Sequence, residues 1–142
     1  MYILLIFGGP LGEELGWRGF AQPRLQRQLP PGQAGILIGI VWAVWHLPLI
    51  VLVPSGTGEI PFWFFFPFTV ALGVIFAWGY NRTGHSVLFA VLLHAGINTM
   101  SGYQILTADD NTNRLMIGLL LVVLLAAAAY RSLARGASNE RA

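Results

Sequence analysis

Gln33-Ala34-Gly35-Ile36-Leu37-Ile38-Gly39-Ile40-Val41-Trp42-Ala43-Val44-Trp45-His46-Leu47-Pro48-Leu49-Ile50-Val51-Leu52-Val53 contains no Asp, Glu, Lys or Arg. A helix that crosses a bilayer needs about 20 apolar residues, so this stretch alone argues for a membrane span. It lies inside a longer charge-free window, 28–58, and three more windows follow at 60–81, 83–108 and 115–130. Turn clusters punctuate them: Pro30-Pro31-Gly32, Pro54-Ser55-Gly56-Thr57-Gly58, Asn81-Arg82-Thr83-Gly84 and Asp109-Asp110-Asn111. The resulting expectation is an all-α membrane helix bundle of about five transmembrane helices. Four run at about 33–53, 61–80, 86–105 and 115–131, after a first from Met1 to about Arg27 with a break at Gly8-Gly9-Pro10. One membrane-embedded domain is expected over 1–131, with 132–142 as a short solvated tail.

Composition agrees. Hydrophobic residues make up 56% of the chain and charged residues 10%, with mean hydropathy +0.66; a soluble domain carries about 25% charged residues. The formal charge of +2 and the scattered arginines exclude a nucleic-acid face. Every basic residue is Arg, which reflects genome composition more than function. The absence of cysteine excludes disulfides, thiolate metal sites and cysteine nucleophiles. No cleavable signal and no internal repeat is recognisable. Only about a dozen apolar residues precede Glu13, with no flanking loop before Tyr2. The chain is therefore expected to be the C-terminal part of a longer membrane protein, or to have a misassigned start.

The loops orient the bundle. Arg24 and Arg27 follow the first helix, Arg82 the third, and Arg131, Arg135 and Arg141 the fifth, whereas the alternate loops carry Glu59 in one and Asp109, Asp110 and Arg114 in the other. By the positive-inside rule the arginine loops and the C-terminus are cytoplasmic, in a multi-pass protein of the cell membrane.

Against this background Gly12-Glu13-Glu14-Leu15-Gly16-Trp17-Arg18-Gly19 stands out, holding two of the six acids side by side. A carboxylate at bilayer depth costs about 2.5–3.5 kcal/mol on insertion scales. A solvated helix start explains the pair poorly, because apolar sequence flanks it on both sides. Glu14 and Arg18 are four apart and share a helix face, where they can pair. Glu13 is rotated by about 100° and is left wanting a role. His94 and Asn98 repeat the four-residue spacing, with small Ala95 and Gly96 between them permitting close helix approach. His46 precedes Pro48, which is expected to kink or end its helix. Counted from the cytoplasmic helix ends, Glu13, His46, His94 and Asn98 lie at depths of about 12–20 Å at 1.5 Å per residue. All could share one cavity opening toward the cytoplasm.

These residue types suit hydrolysis of an amide. A desolvated glutamate beside a second acid is a candidate general base for water, a histidine can orient that water, and a histidine with an amide can donate to a developing oxyanion. No Gly-x-Ser-x-Gly and no His-Glu-x-x-His occurs, which disfavours serine and zincin-type proteases.

At these residues the chain resembles the CPBP family of intramembrane proteases, which comprises the type II CAAX prenyl endopeptidases and bacteriocin-processing enzymes and is also called Abi. The family motifs Glu-Glu-x-x-x-Arg, Phe-x-x-x-His and His-x-x-x-Asn appear here as Glu13-Glu14-Leu15-Gly16-Trp17-Arg18, Trp42-Ala43-Val44-Trp45-His46 and His94-Ala95-Gly96-Ile97-Asn98. Trp42 stands where the family usually has Phe. The resemblance spans about residues 8–102. It implies that Glu13 with His46 activates the water, that His94 and Asn98 form an oxyanion hole, and that Glu14 and Arg18 support the site. It implies no obligatory cofactor. Members are often labelled metalloproteases, and Glu13, His46 and His94 could form a two-histidine, one-carboxylate zinc site. The expected partners are a peptide or lipid-modified protein substrate, the lipid bilayer and membrane partner proteins, but no nucleic acid.

Other readings compete. A non-catalytic immunity or scaffold protein of the same fold would bind a bacteriocin or a membrane partner, and a proton-coupled transporter is disfavoured without a repeat. His94 with Asn98 could be interhelical glue. His85 reads as a solvated cap residue, and Phe62-Trp63-Phe64-Phe65-Phe66 as a lipid-facing interfacial belt. Trp42 and Trp45 either line a substrate groove or simply pack.

Overall fold

The computed structural model describes residues 9–53, 60–102 and 112–139. These residues form helices and turns, with no strand among them. The first polar motif is carried by a continuous helical rod made of α1 (Pro10–Glu14), a π-helical stretch (Leu15–Ala21) and α2 (Gln22–Leu25). Pro10 starts the rod at a position where its missing N–H costs nothing. In the π stretch the Gln22 N–H reaches the Trp17 carbonyl, five residues back. Such widened turns are uncommon and occur preferentially at functional sites.

After Pro30, α3 (Pro31–Trp45) and α4 (Leu47–Leu52) form one apolar path interrupted at His46. The break has a local cause. Pro48 has no N–H to give the Val44 carbonyl, so the α-helical ladder cannot continue through it. The expected kink is therefore present, and it falls on a motif residue.

Next comes α5 (Phe62–Arg82), then α6 (Val87–Gly102) and α7 (Thr112–Asn139). The α5–α6 turn is a Schellman-type ending: the His85 N–H bonds to the Tyr80 carbonyl at 2.8 Å, with Gly84 at φ 65° and His85 itself at φ 68°. His85 is exposed, as a cap residue should be.

Among the described residues three segments are long and apolar enough to cross a membrane, Pro31–Leu52, Phe62–Arg82 and Leu115–Gly136, and Val87–Thr99 is a shorter apolar helix. The expected all-α membrane bundle is what the structure contains. The expected start at Met1, the break at Gly8 and the turns at 54–58 and 109–111 lie outside the described residues in whole or in part. The last helix runs to Asn139 rather than stopping at 131, so residues 132–139 are helical. Leu133 is buried there, and Ser132 is hydrogen-bonded.

Glycines let α3 and α5 touch along their backbones. A Cβ on Gly35 would meet the Gly73 carbonyl oxygen at 2.8 Å, and one on Gly39 would meet the Val70 Cα at 2.7 Å. This is the small-residue packing by which membrane helices associate when burial in lipid supplies no hydrophobic drive. The pairing of Gly35 with Gly73 and Gly39 with Val70 makes α3 and α5 antiparallel. Ala71 and Val74 of α5 pack with Ala126 and Ala129 of α7, and Trp78 and Arg82 reach Ser132, so α5 and α7 run in the same direction. Gln26 and Asn81 exchange amide hydrogen bonds of 3.0 and 2.9 Å. They tie the end of the first rod to the end of α5, so Arg27, Arg82, Arg131 and Arg135 gather at one end of the bundle. Away from these contacts the molecule presents apolar side chains, with Leu120, Leu121, Leu124 and Leu125 of α7 all more than half exposed.

Candidate active site

Glu14 is completely buried and sits between two partners. Arg18 Nη1 donates to Glu14 Oε1 at 3.1 Å and lies 3.0 Å from Oε2, a charge contact without hydrogen-bond alignment. From α6, 80 residues along the chain, His94 Nδ1 lies 2.9 Å from Glu14 Oε1. A carboxylate oxygen paired with Arg18 accepts, so Nδ1 carries the proton and donates. Only Nε2 of His94 remains for other chemistry.

Arg18 is likewise fully buried. Its guanidinium lies 4.1 Å from the Phe76 ring centroid and 5.4 Å from that of Trp42, contacts that replace part of the lost hydration. Among the described residues its Nε and Nη2, with Trp17 Nε1 and Gln22 Oε1, are buried without a hydrogen-bond partner. Gln22 Nε2 is bonded to Gln26.

Glu13, half-buried, is held differently. The Trp42 indole N–H donates to Glu13 Oε2 at 2.9 Å, and Oε1 has no hydrogen bond among the described residues. The adjacent acids therefore have separate environments, as their angular offset requires: Glu14 is occupied on the Arg18 side, and Glu13 keeps one oxygen free.

Trp42 is the hub. Its ring centroid lies 5.1 Å from His94, 6.0 Å from His46 and 5.8 Å from Phe76. One side chain thus contacts all three motifs. His46, at the helix break, lies with Nδ1 3.0 Å from the Trp42 carbonyl oxygen. A carbonyl only accepts, so Nδ1 bears the hydrogen and Nε2 of the neutral ring presents a lone pair. The ring is packed by Trp45 at 4.9 Å and by Phe65 at 5.2 Å. Trp45, half-exposed, also meets Trp17 edge-on at 6.3 Å. Asn98 follows His94 by one helical turn, is half-buried, and its side chain makes no hydrogen bond among the described residues.

Glu13, Glu14, Arg18, His46 and His94 are thus linked, directly or through Trp42, and Asn98 stands one turn beyond. The aromatic belt needs correction. Phe64 is buried in the core and Phe65 packs on His46, leaving Trp63 as the exposed member of that trio. In a helix turning every 3.6 residues, five consecutive aromatics cannot all face lipid. Among the described residues no three His, Asp or Glu side chains form a group able to hold a metal ion, Glu13, His46 and His94 included.

Comparison with known proteins covers the same region. The family model described as Type II CAAX prenyl endopeptidase Rce1-like matches residues 1–100, which include all three motifs. CAAX prenyl protease 2 of Methanococcus maripaludis is 34% identical over 124 residues, covering 83% of this chain and 45% of that protein. The chain thus spans less than half the length of this curated relative. Three motifs gathered around one indole, within a helix bundle that the family model matches, lead to one conclusion: the chain belongs to the type II CAAX prenyl endopeptidase family.

Proposed function

We propose that this chain forms the catalytic part of an intramembrane endopeptidase that hydrolyses a peptide bond in a prenylated protein ending in a CAAX sequence. The substrate class rests on the family and on the name of the methanococcal relative. The observation that carries the chemistry is the Glu13 carboxylate, held through Oε2 by Trp42, with Oε1 free of hydrogen bonds among the described residues.

In this reading Glu13 Oε1 removes a proton from a water molecule oriented by His46 Nε2. The water oxygen adds to the scissile carbonyl, and the carbonyl electron pair moves onto oxygen. Asn98 donates to that oxyanion through its amide N–H, and His94 through Nε2–H. Because Nδ1 of His94 already donates to Glu14, an Nε2 donor requires the imidazolium form, whose positive charge faces the Glu14 carboxylate. Glu13 then returns its proton to the departing amine as the C–N bond breaks. Glu14 and Arg18 fix the ring of His94 and take no part in bond making. No step needs a metal.

The positive-inside rule assigns the arginine-rich end to the cytoplasm. The test is cleavage of a CAAX-terminated peptide by the purified chain in lipid, with and without the prenyl group, the products identified by mass. Release of the C-terminal residues from the prenylated peptide alone is expected. Cleavage of neither peptide would sink this reading.

A further inference from the structure

A second polar cavity lies at the arginine-rich end, outside the motif cluster. It encloses about 550 Å³ between the ends of α5 and α7 and is lined by Arg82, Arg131, Ser132 and Arg135 with Ala128 and Gly136. Arg82 lies seventeen positions along α5 from Phe65, the side chain packed on His46, which is about 25 Å of helix. The cavity is therefore remote from the proposed chemistry.

Its described lining is cationic. Three guanidinium groups line it, with no acid among the described lining residues. Ser132 Oγ accepts from Arg82 Nη2 at 2.7 Å and from Trp78 Nε1 at 3.3 Å. With both lone pairs engaged, the hydroxyl hydrogen is left to donate. Guanidinium forks and a hydroxyl donor match the oxygens of a phosphate.

Beside the cavity runs an apolar groove of about 560 Å³, bounded by side chains that include Ile36 of α3, Val70 and Val74 of α5, and Val123 and Ala127 of α7. Arg131 borders both the groove and the cavity. A cationic cup continuous with an apolar channel on a membrane-facing surface fits a molecule that is anionic at one end and hydrocarbon at the other. Free phosphate has no use for the groove, and the cationic headgroup of a zwitterionic lipid would be repelled by the arginines.

We propose that α3, α5 and α7 bind one anionic phospholipid, its phosphate held by Arg82, Arg131 and Ser132 and a hydrocarbon chain lying in the groove. This site is independent of the proteolytic reading.

The test is native mass spectrometry of the chain released from detergent with phosphatidylglycerol, phosphatidylcholine or inorganic phosphate at equal concentrations. A single retained phosphatidylglycerol is expected, favoured at least tenfold over phosphatidylcholine, with little phosphate retained. Arg82→Gln/Arg131→Gln/Arg135→Gln should abolish the preference. Ala127→Trp, at an exposed position that fills the groove and keeps every arginine, should weaken lipid retention at least fivefold even if the triple variant fails to fold. Equal retention of both lipids, or unchanged retention in Ala127→Trp, would overturn the proposal. Phosphate retained as well as lipid would reduce the cavity to a simple anion site and overturn it too.

Discussion

His94 Nδ1 donates to Glu14 Oε1 at 2.9 Å across 80 residues of chain, and this bond joins the first motif to the third. Glu14 also carries Arg18, and both are fully buried. Removing one partner of a buried ion pair leaves an uncompensated charge and costs about 3–5 kcal/mol. Glu14→Gln is therefore expected to destabilise the bundle by about that amount, read as a loss of unfolding free energy in a detergent denaturation series. Near-wild-type stability would mean that Glu14 does not anchor Arg18.

Trp42 offers a finer test. Trp42→Phe keeps an aromatic ring and removes the N–H that holds Glu13 Oε2. A hydrogen bond to a charged group contributes about 1.5–3 kcal/mol. If the bond serves mainly to aim the carboxylate, kcat should fall about tenfold with KM little changed. A change confined to KM would assign Trp42 to substrate contact instead.

Asn98 is expected to act only while charge develops on the substrate oxygen. Losing one such donor typically lowers kcat by about 10²–10³, so Asn98→Ala should do so at unchanged unfolding stability, because its side chain makes no hydrogen bond among the described residues. If Asn98 were interhelical glue, stability would fall and kcat would follow the folded fraction.

Chelation separates the zinc arrangement from the carboxylate one. No three ligands gather among the described residues, so peptidase activity should survive prolonged dialysis against excess chelator. Activity lost there and restored by zinc would return metal chemistry to the site.

The bundle was legible because a bilayer demands length and freedom from charge, and residues 28–58 and 60–81 meet both demands. The Glu14–Arg18 pair and the separate environment of Glu13 follow from helical spacing and were equally readable. The bond from His94 to Glu14 was not. Spacing along one helix associates His94 with Asn98 and carries no information about a helix 80 residues away. The π-helical turn at Leu15–Ala21 has no propensity signature of its own. Trp42 in place of Phe looks like a swap of one ring for another, and the consequence of its N–H emerges only when a carboxylate is found 2.9 Å away. Phe65 was hidden by its neighbours, since a run of aromatics does not reveal which member faces inward.

The most direct measurement is the cleavage rate of a prenylated CAAX peptide by wild-type chain and by Glu13→Gln, compared at matched unfolding stability. Glutamine preserves the shape and an oxygen for the Trp42 N–H but cannot take a proton from water. General-base catalysis contributes about 10²–10⁴ in rate, and a loss in that range is expected. Wild-type cleavage by Glu13→Gln would contradict Glu13 as the base and favour a chain whose acids serve binding alone.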